Sequence, residues 1–520
     1  MNISSLDIGV FVAYCLCLLA LAWWVSREKA GHDKNSSDYF LASNALPWWA
    51  IGSSLVAANI SAEQIIGMSG SGYAIGLAIA SYEWMAAITL IVIGKWFLPI
   101  LLEKKIYTMP QFLEKRFDKR VQLVMAFFWL VVYTFVNLTA VLYLGALALK
   151  TIAGVDMMVG MLFLAAFSMA YSLYGGLKAV ALTDIVQVVL LIAGGLLVSY
   201  LALDQVSGGQ GFIAGFSTLL DKTPESFDLI LSSDHEDYIS LPGISVLVGG
   251  LWIMNLSYWG FNQYIIQRAL AAKDLDEAQK GIVFAAFLKL LMPVIVVLPG
   301  IAMFVLNANL AQPDQAYPRA MTLLPVGVKG LVFAALIAAI LSSLASMANS
   351  IATIFTLDLY SPLTGSQDQR HLVRIGRSAA VVAMLLAMIC ARPLLGNFDQ
   401  AFQYIQEFTG FFTPGIVAIF LLGIFWSRMS ANAALIAALG SAMLSFVFKL
   451  GWPALPFIDR VGWVFVLCVA VAVVVSLWGP ARADEQAVDL TDIRFSTSQG
   501  FNVAAFAVML ILAGLYITWW

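Results

Sequence analysis

The chain is 520 residues long, 61% of them hydrophobic and only 11% charged, with a mean hydropathy of +0.88. A soluble protein carries roughly 45–50% apolar and about 25% charged residues, so the composition excludes a string of soluble domains as well as disordered or collagen-like chains. The 28 basic and 31 acidic residues leave a net charge of −3 and no basic surface for nucleic acid.

Apolar runs of spanning length fall at about 6–25, 48–72, 76–102, 121–149, 156–176, 179–203, 240–262, 281–306, 328–359, 373–391, 398–426, 430–449, 461–478 and 500–520, which predicts fourteen transmembrane helices. The first run is followed, not preceded, by Arg27 and Lys29, so it reads as a retained helix rather than a secretory signal. With the N-terminus outside, the cytoplasmic connections hold 19 Lys plus Arg and the external ones 7, in agreement with the positive-inside rule. Fourteen crossings then put both termini outside.

The second run is a poor lipid-facing helix, because Asn59, Ser61, Glu63 and Gln64 lie near its middle. An interruption near 57–63 would let its freed carbonyls bind a cation while its polar side chains line a cavity. Glu83 follows Tyr82 in the third run. The connection at 107–120 reads as a short amphipathic surface helix, with Phe112, Leu113 and Phe117 on one side and Lys115, Arg116 and Lys119 on the other. Asp184 lies near a cytoplasmic helix end, as a cap or a cation relay. The connection at 204–239 is an acidic external loop.

The seventh run repeats the anomaly of the second, with Asn255, Trp259 and Asn262 on one helical stripe and Tyr258 beside them. Amides interleaved with aromatic rings suit a hydroxylated ring: C–H faces stack on the aromatics and hydroxyls take the amides. Lys289 in the eighth run faces the same need for neutralisation as Glu83, and the two are expected to pair. In the ninth run Ser342 and Ser343 lie one turn beyond Ala339; hydroxyls suit sodium, and they equally suit close helix contacts. Gln406 and Glu407 lie in the eleventh run. Cys15, Cys17, Cys390 and Cys468 sit in apolar stretches as small buried hydrophobes. No His, Cys or paired-carboxylate constellation occurs at one depth, which argues against an enzyme.

At these residues the chain resembles the solute:sodium symporter family, and within it the family's sugar carriers. The likeness runs through Ser37-Asp-Tyr-Phe-Leu-Ala42, Asn59-Ile-Ser-Ala-Glu-Gln64, Ser81-Tyr-Glu-Trp84, Thr108-Met-Pro-Gln-Phe-Leu113, Tyr174-Gly-Gly-Leu177, Tyr258-Trp-Gly-Phe-Asn-Gln263, Ser342-Ser343 and Phe402-Gln-Tyr-Ile-Gln-Glu407. It implies an all-α integral membrane protein with a leucine-transporter-like five-plus-five inverted repeat. Residues 1–47 would supply one extra helix, 48–204 and 240–427 the two repeats, and 428–520 three more helices. The resemblance further implies a bacterial inner-membrane symporter that imports a monosaccharide, galactose or glucose, driven by sodium and without other cofactors; myo-inositol carriage and solute sensing are the alternatives. The implied sugar ligands are Asn59, Gln64, Glu83, Asn255, Lys289 and Gln406. Met68, Tyr82, Tyr258 and Trp259 would gate the site. Carbonyls of Ala57, Ile60 and Ala339 with the hydroxyls of Ser342 and Ser343 would hold sodium, and Asp184 would receive it on release. Ala86 and Ser257 stand where the sugar carriers have serine and tyrosine.

Overall fold

The computed structural model describes residues 4–26, 46–106, 109–172, 177–306, 309–366, 368–396, 400–479 and 486–520. In chain order its helices include α1 (Ser5–Ser26), α2 (Trp48–Asn59), α3 (Met68–Ile75), α4 (Leu77–Glu103), α5 (Lys119–Ala153), α6 (Met157–Ser172), α7 (Leu177–Val206), α8 (Gly250–Leu256), α9 (Gln263–Leu270) and α10 (Leu275–Val305). They continue with α11 (Val328–Thr364), α12 (Gln369–Leu395), α13 (Ala401–Thr409), α14 (Thr413–Phe425), α15 (Ala431–Gly451), α16 (Phe457–Trp478) and α17 (Gln499–Thr518). Among the described residues the only sheet-like pairing is the single parallel bridge between Leu46 and Ala272. The backbone thereby satisfies its own hydrogen bonds, as hydrocarbon demands.

Each of the fourteen apolar runs carries helix among its described residues. Among the described residues nine helices are long and apolar enough to cross a membrane, ten if α13 and α14, bent by 46°, make one span. Burial separates centre from rim. The apolar stretch of α11 is 89% buried and that of α17 only 22%. Phe446, Val447, Trp463, Val466, Phe506 and Leu510 on α15–α17 are exposed, apolar surface that fits lipid and not water. At the centre α10 packs against α2, α3, α4 and α7. Small residues make that crossing close: a methyl on Gly300 would lie 2.2 Å from the Ser69 carbonyl oxygen, and one on Gly72 would lie 2.8 Å from that of Val297.

Three expectations change. The acidic connection is not a bare loop, because Phe212–Lys222 forms an amphipathic helix followed by a 3₁₀ turn at Pro224–Phe227. Helix Met109–Arg116 does turn Phe112 and Leu113 inward and Lys115 outward, but Arg116 is buried. Its guanidinium donates to the carbonyls of Gly423 (2.7 Å), Trp426 (3.0 Å) and Ser427 (3.0 Å), in the last turn of α14 and the residues just after it. Of the cysteines only Cys468 is buried, and Cys17 is exposed on α1.

Candidate functional site

The second run is broken where its polar residues cluster. After Asn59 the chain leaves helical geometry at Ile60 (φ −72°, ψ 90°), and it re-enters through a π-turn, Glu63–Gly67, that leads into α3. The backbone ladder stops with the Ile60 amide on the Val56 carbonyl (2.7 Å) and restarts with the Ile65 amide on that of Ser61 (3.0 Å). Among the described hydrogen bonds no main-chain amide returns to the carbonyls of Ala57, Ala58, Asn59 or Ile60. Asn and Ser compete for backbone partners, and β-branched Ile60 tolerates extended geometry, so the local sequence favours the interruption.

The seventh run breaks as well. A π-turn at Ser257–Phe261 ends at Asn262 (φ −87°, ψ 118°), whose carbonyl then accepts from the Ile265 (3.1 Å) and Ile266 (3.0 Å) amides at the start of α9. Asn255, Trp259 and Asn262 therefore share no regular helical stripe, because the wider turn shifts their phase. They nevertheless line the same cavity.

That cavity, about 1010 Å³ counting its open mouth, has walls from both breaks and from α4, α5, α13 and α14. Of the predicted sugar and gate residues it brings together Asn59, Gln64, Glu83, Asn255, Gln406, Tyr82, Tyr258 and Trp259. Lys289 and Met68 stand one layer back. The Gln64 amide contacts the Met68 sulfur at 3.2 Å. Lys289, fully buried, donates to Glu83 Oε2 at 2.7 Å and to Asn59 Oδ1, and its ammonium lies 4.8 Å from the centre of the Trp259 indole. Asn59 Nδ2 donates to the Tyr258 hydroxyl (3.2 Å), which also accepts from the Tyr264 hydroxyl (3.0 Å). One chain of polar atoms thus joins α9, the two breaks, α10 and α4. Asn255 donates back to the Leu251 carbonyl (3.1 Å), and Tyr82 meets the Phe402 ring edge-on at 5.1 Å.

Among the wall residues that carried no predicted role are Glu63, Tyr133, Asn137 and Phe402. Glu63 Oε2 is buried without a hydrogen-bond partner among the described residues. Its place inside the polar break was the available signal. Asn137, an amide in the π-turn Val132–Leu138, was a weaker one.

The predicted sodium ligands lie on two helices in contact, α2 and α11. Ala57 and Ile60 flank the break, and Ala339, Ser342 and Ser343 are buried on α11. Among the described residues no three His, Cys, Asp or Glu side chains converge. The predicted set consists of hydroxyl and carbonyl oxygens, the kind of donor hard cations take. Asp184 falls on α7, with its side chain outside the described residues, as is the Tyr174–Gly176 part of the glycine motif.

Two interrupted helices flanking a cavity of amides, carboxylates and aromatic rings in an apolar helix bundle define a membrane transporter of the broken-helix type. The model of the sodium:solute symporter family matches residues 39–440, and the chain belongs to that family. Over its full length it is 51% identical to a sodium/glucose cotransporter of Vibrio parahaemolyticus, covering 99% of that protein. It is 31% identical to the human sodium/glucose cotransporter 4 (87% of this chain, 70% of the relative) and 32% identical to the mouse sodium/myo-inositol cotransporter 2 (86% and 70%). A Na+-coupled sialic acid symporter, solved substrate-bound and outward-open, superposes with a TM-score of 0.78 at 22% identity, over 92% of this chain and 99% of that one. A nucleobase-cation-symport-1 family transporter reaches 0.51 at 15% identity, over 87% and 98%. These two likenesses establish the shared fold.

Proposed function

We propose that the protein is a sodium-coupled symporter that imports a monosaccharide, glucose or galactose, by alternating access across a bacterial inner membrane. The observation that carries this reading is the hydrogen-bonded chain Tyr258–Asn59–Lys289–Glu83 on the wall of a cavity beside an unwound helix. Asn59, Gln64, Glu83, Asn255 and Gln406 offer amide and carboxylate partners to sugar hydroxyls, and Lys289 sets the charge of the wall from behind. The Tyr258 ring offers a face to the pyranose C–H groups. Tyr82, Met68 and Trp259 close around it.

Sodium sits between the freed carbonyls of Ala57 and Ile60 and the Ala339, Ser342 and Ser343 segment. By tying α2 to α11 it fixes the break, and with it Asn59 and Gln64, so ion and sugar favour one state of the site. Their coupling is reciprocal. Sodium loss toward Asp184 loosens the break and releases the sugar. Entry of the ion is driven by its gradient and by ~2.3 kcal/mol per charge for each 100 mV of potential. In this reading the chain crosses fourteen times with both termini outside, the repeats are 48–204 and 240–427, and no bond-making chemistry occurs.

A second reading, carriage of myo-inositol or another polyol, draws on the same hydroxyl-matching wall and on Ala86, which removes a hydroxyl partner beside Glu83. Binding of labelled glucose to the purified protein, in sodium and in potassium, with galactose and myo-inositol as competitors, separates the two. Sodium-dependent binding displaced by galactose and not by inositol is expected; preferential displacement by inositol reverses the assignment.

A further inference from the structure

Gln406 sits on α13, a helix of nine residues, too short to hold its own position. What holds it comes from the C-terminal helices. Glu407, the next residue, has one carboxylate oxygen that accepts from Lys449 Nζ at 2.9 Å and from Arg460 Nη2 at 3.0 Å. Lys449 closes α15 and Arg460 lies in the first turn of α16, so the two cations come from facing ends of one hairpin. Both also lie over aromatic rings beside Glu407: Lys449 is 4.7 Å from the centre of Phe408, and the Arg460 guanidinium is 5.1 Å from that of Phe411.

The bend that follows is held by the same hairpin. Ser441 of α15 donates to the Phe411 carbonyl (2.8 Å) and accepts from the Gly415 amide (3.0 Å), which satisfies backbone groups freed where α13 meets α14. Gly410 abuts α16 so closely that a methyl there would lie 2.9 Å from Val461 Cγ2. The start of α16 also packs on the helix that carries Asn255, because a methyl on Gly250 would lie 1.9 Å from the Ile458 carbonyl oxygen. One hairpin therefore touches the elements bearing two of the proposed sugar contacts.

We propose that the α15–α16 hairpin is the frame against which the solute site is set, and that Glu407, pinned by Lys449 and Arg460, is the positioning residue that holds Gln406 at the cavity. This inference rests on the sugar reading above. Two variants test it in sodium-driven glucose uptake. Glu407→Gln raises the sugar KM about tenfold, the scale on which a displaced contact group acts, while the sodium half-saturation stays within about twofold. Lys449→Met, at the more exposed partner, gives a smaller rise in the same direction, and Glu407→Asp restores part of the loss.

An unchanged sugar KM in folded Glu407→Gln overturns the proposal. So do parallel shifts of the sugar and sodium curves, which mark general loosening. Should Glu407→Gln fail to accumulate, Lys449→Met decides, and an unchanged sugar KM there overturns it. A Gln406→Ala control separates the layers: no change in that variant rejects the sugar reading itself, whereas a raised KM there with none in the other two rejects only the frame.

Discussion

Lys289→Met is the sharpest perturbation of the site. The Lys289 ammonium is completely buried, 2.7 Å from a Glu83 carboxylate whose side chain is 5% exposed, and it also bonds Asn59. Its removal strands a carboxylate in a buried wall and leaves an amide oxygen without that donor. Breaking a buried pair from one side costs about 3–5 kcal/mol. At 1.4 kcal/mol per factor of ten, that is roughly two to three and a half powers of ten in the folding equilibrium. Glu83→Gln combined with Lys289→Met removes both charges and recovers most of that loss, because neutral side chains of similar volume replace a desolvated pair. Neither variant transports, since both lose the charged hydrogen-bonding wall. Thermal unfolding in detergent reads stability, and labelled sugar uptake reads function. A single variant as stable as the parent, or a double variant that transports at the parental rate, refutes the reasoning.

The remaining predictions probe the ion site, the packing and one cap. Ser343→Ala raises the sodium half-saturation about tenfold before it alters the sugar KM, because it deletes one oxygen of the proposed coordination set; superimposable sodium titrations count against it. Gly300→Val forces a side chain into the Ser69 backbone, where even a methyl carbon would stand 2.2 Å from oxygen, and accumulation in the membrane falls sharply; normal yield with a normal melting temperature argues that α3 and α10 lie farther apart. Asp118 caps α5 by accepting from the Arg120 (3.0 Å) and Val121 (3.1 Å) amides. Partial burial raises its pKa, but the hydrogen bonds from Arg120 and Val121 outweigh this and hold it below the usual carboxylate value. A depressed folded-state pKa contributes stability above the unfolded value, near 3.9, and loses it as pH falls through the folded one. Asp118→Ala therefore lowers stability by about 1 kcal/mol at pH 7, a difference that shrinks below about pH 4. A pH-independent difference contradicts the assignment.

Much of this architecture is legible in residue types, because hydrocarbon admits few solutions. Runs of apolar residues become helices, and Asn59, Ser61, Glu63 and Gln64 in the middle of one such run demand either a break or a cavity; both occur. The pairing of Glu83 with Lys289 was legible for the same reason, since neither charge is affordable alone. Periodicity failed where the helix itself changed pitch. The π-turn at Ser257–Phe261 rephased Asn255 against Asn262, and the one at Val132–Leu138 brought Asn137 into the wall from a run that reads as apolar. Arg116 escaped because amphipathic patterning places a lysine and an arginine alike on the wet side, whereas only tertiary packing supplies the three carbonyls that draw this one in. The hold of Lys449 and Arg460 on Glu407 joins positions more than forty residues apart, which local pattern does not encode.

The proposed coupling is that sodium and sugar occupy adjoining sites at one helix break and move together. Its most direct measurement is the level that labelled glucose reaches inside proteoliposomes carrying an inward sodium gradient. Coupled entry gives accumulation above the external concentration, collapse when a sodium ionophore is added, and none when potassium replaces sodium. Internal glucose that merely equals the external concentration, or that rises equally in potassium, contradicts it.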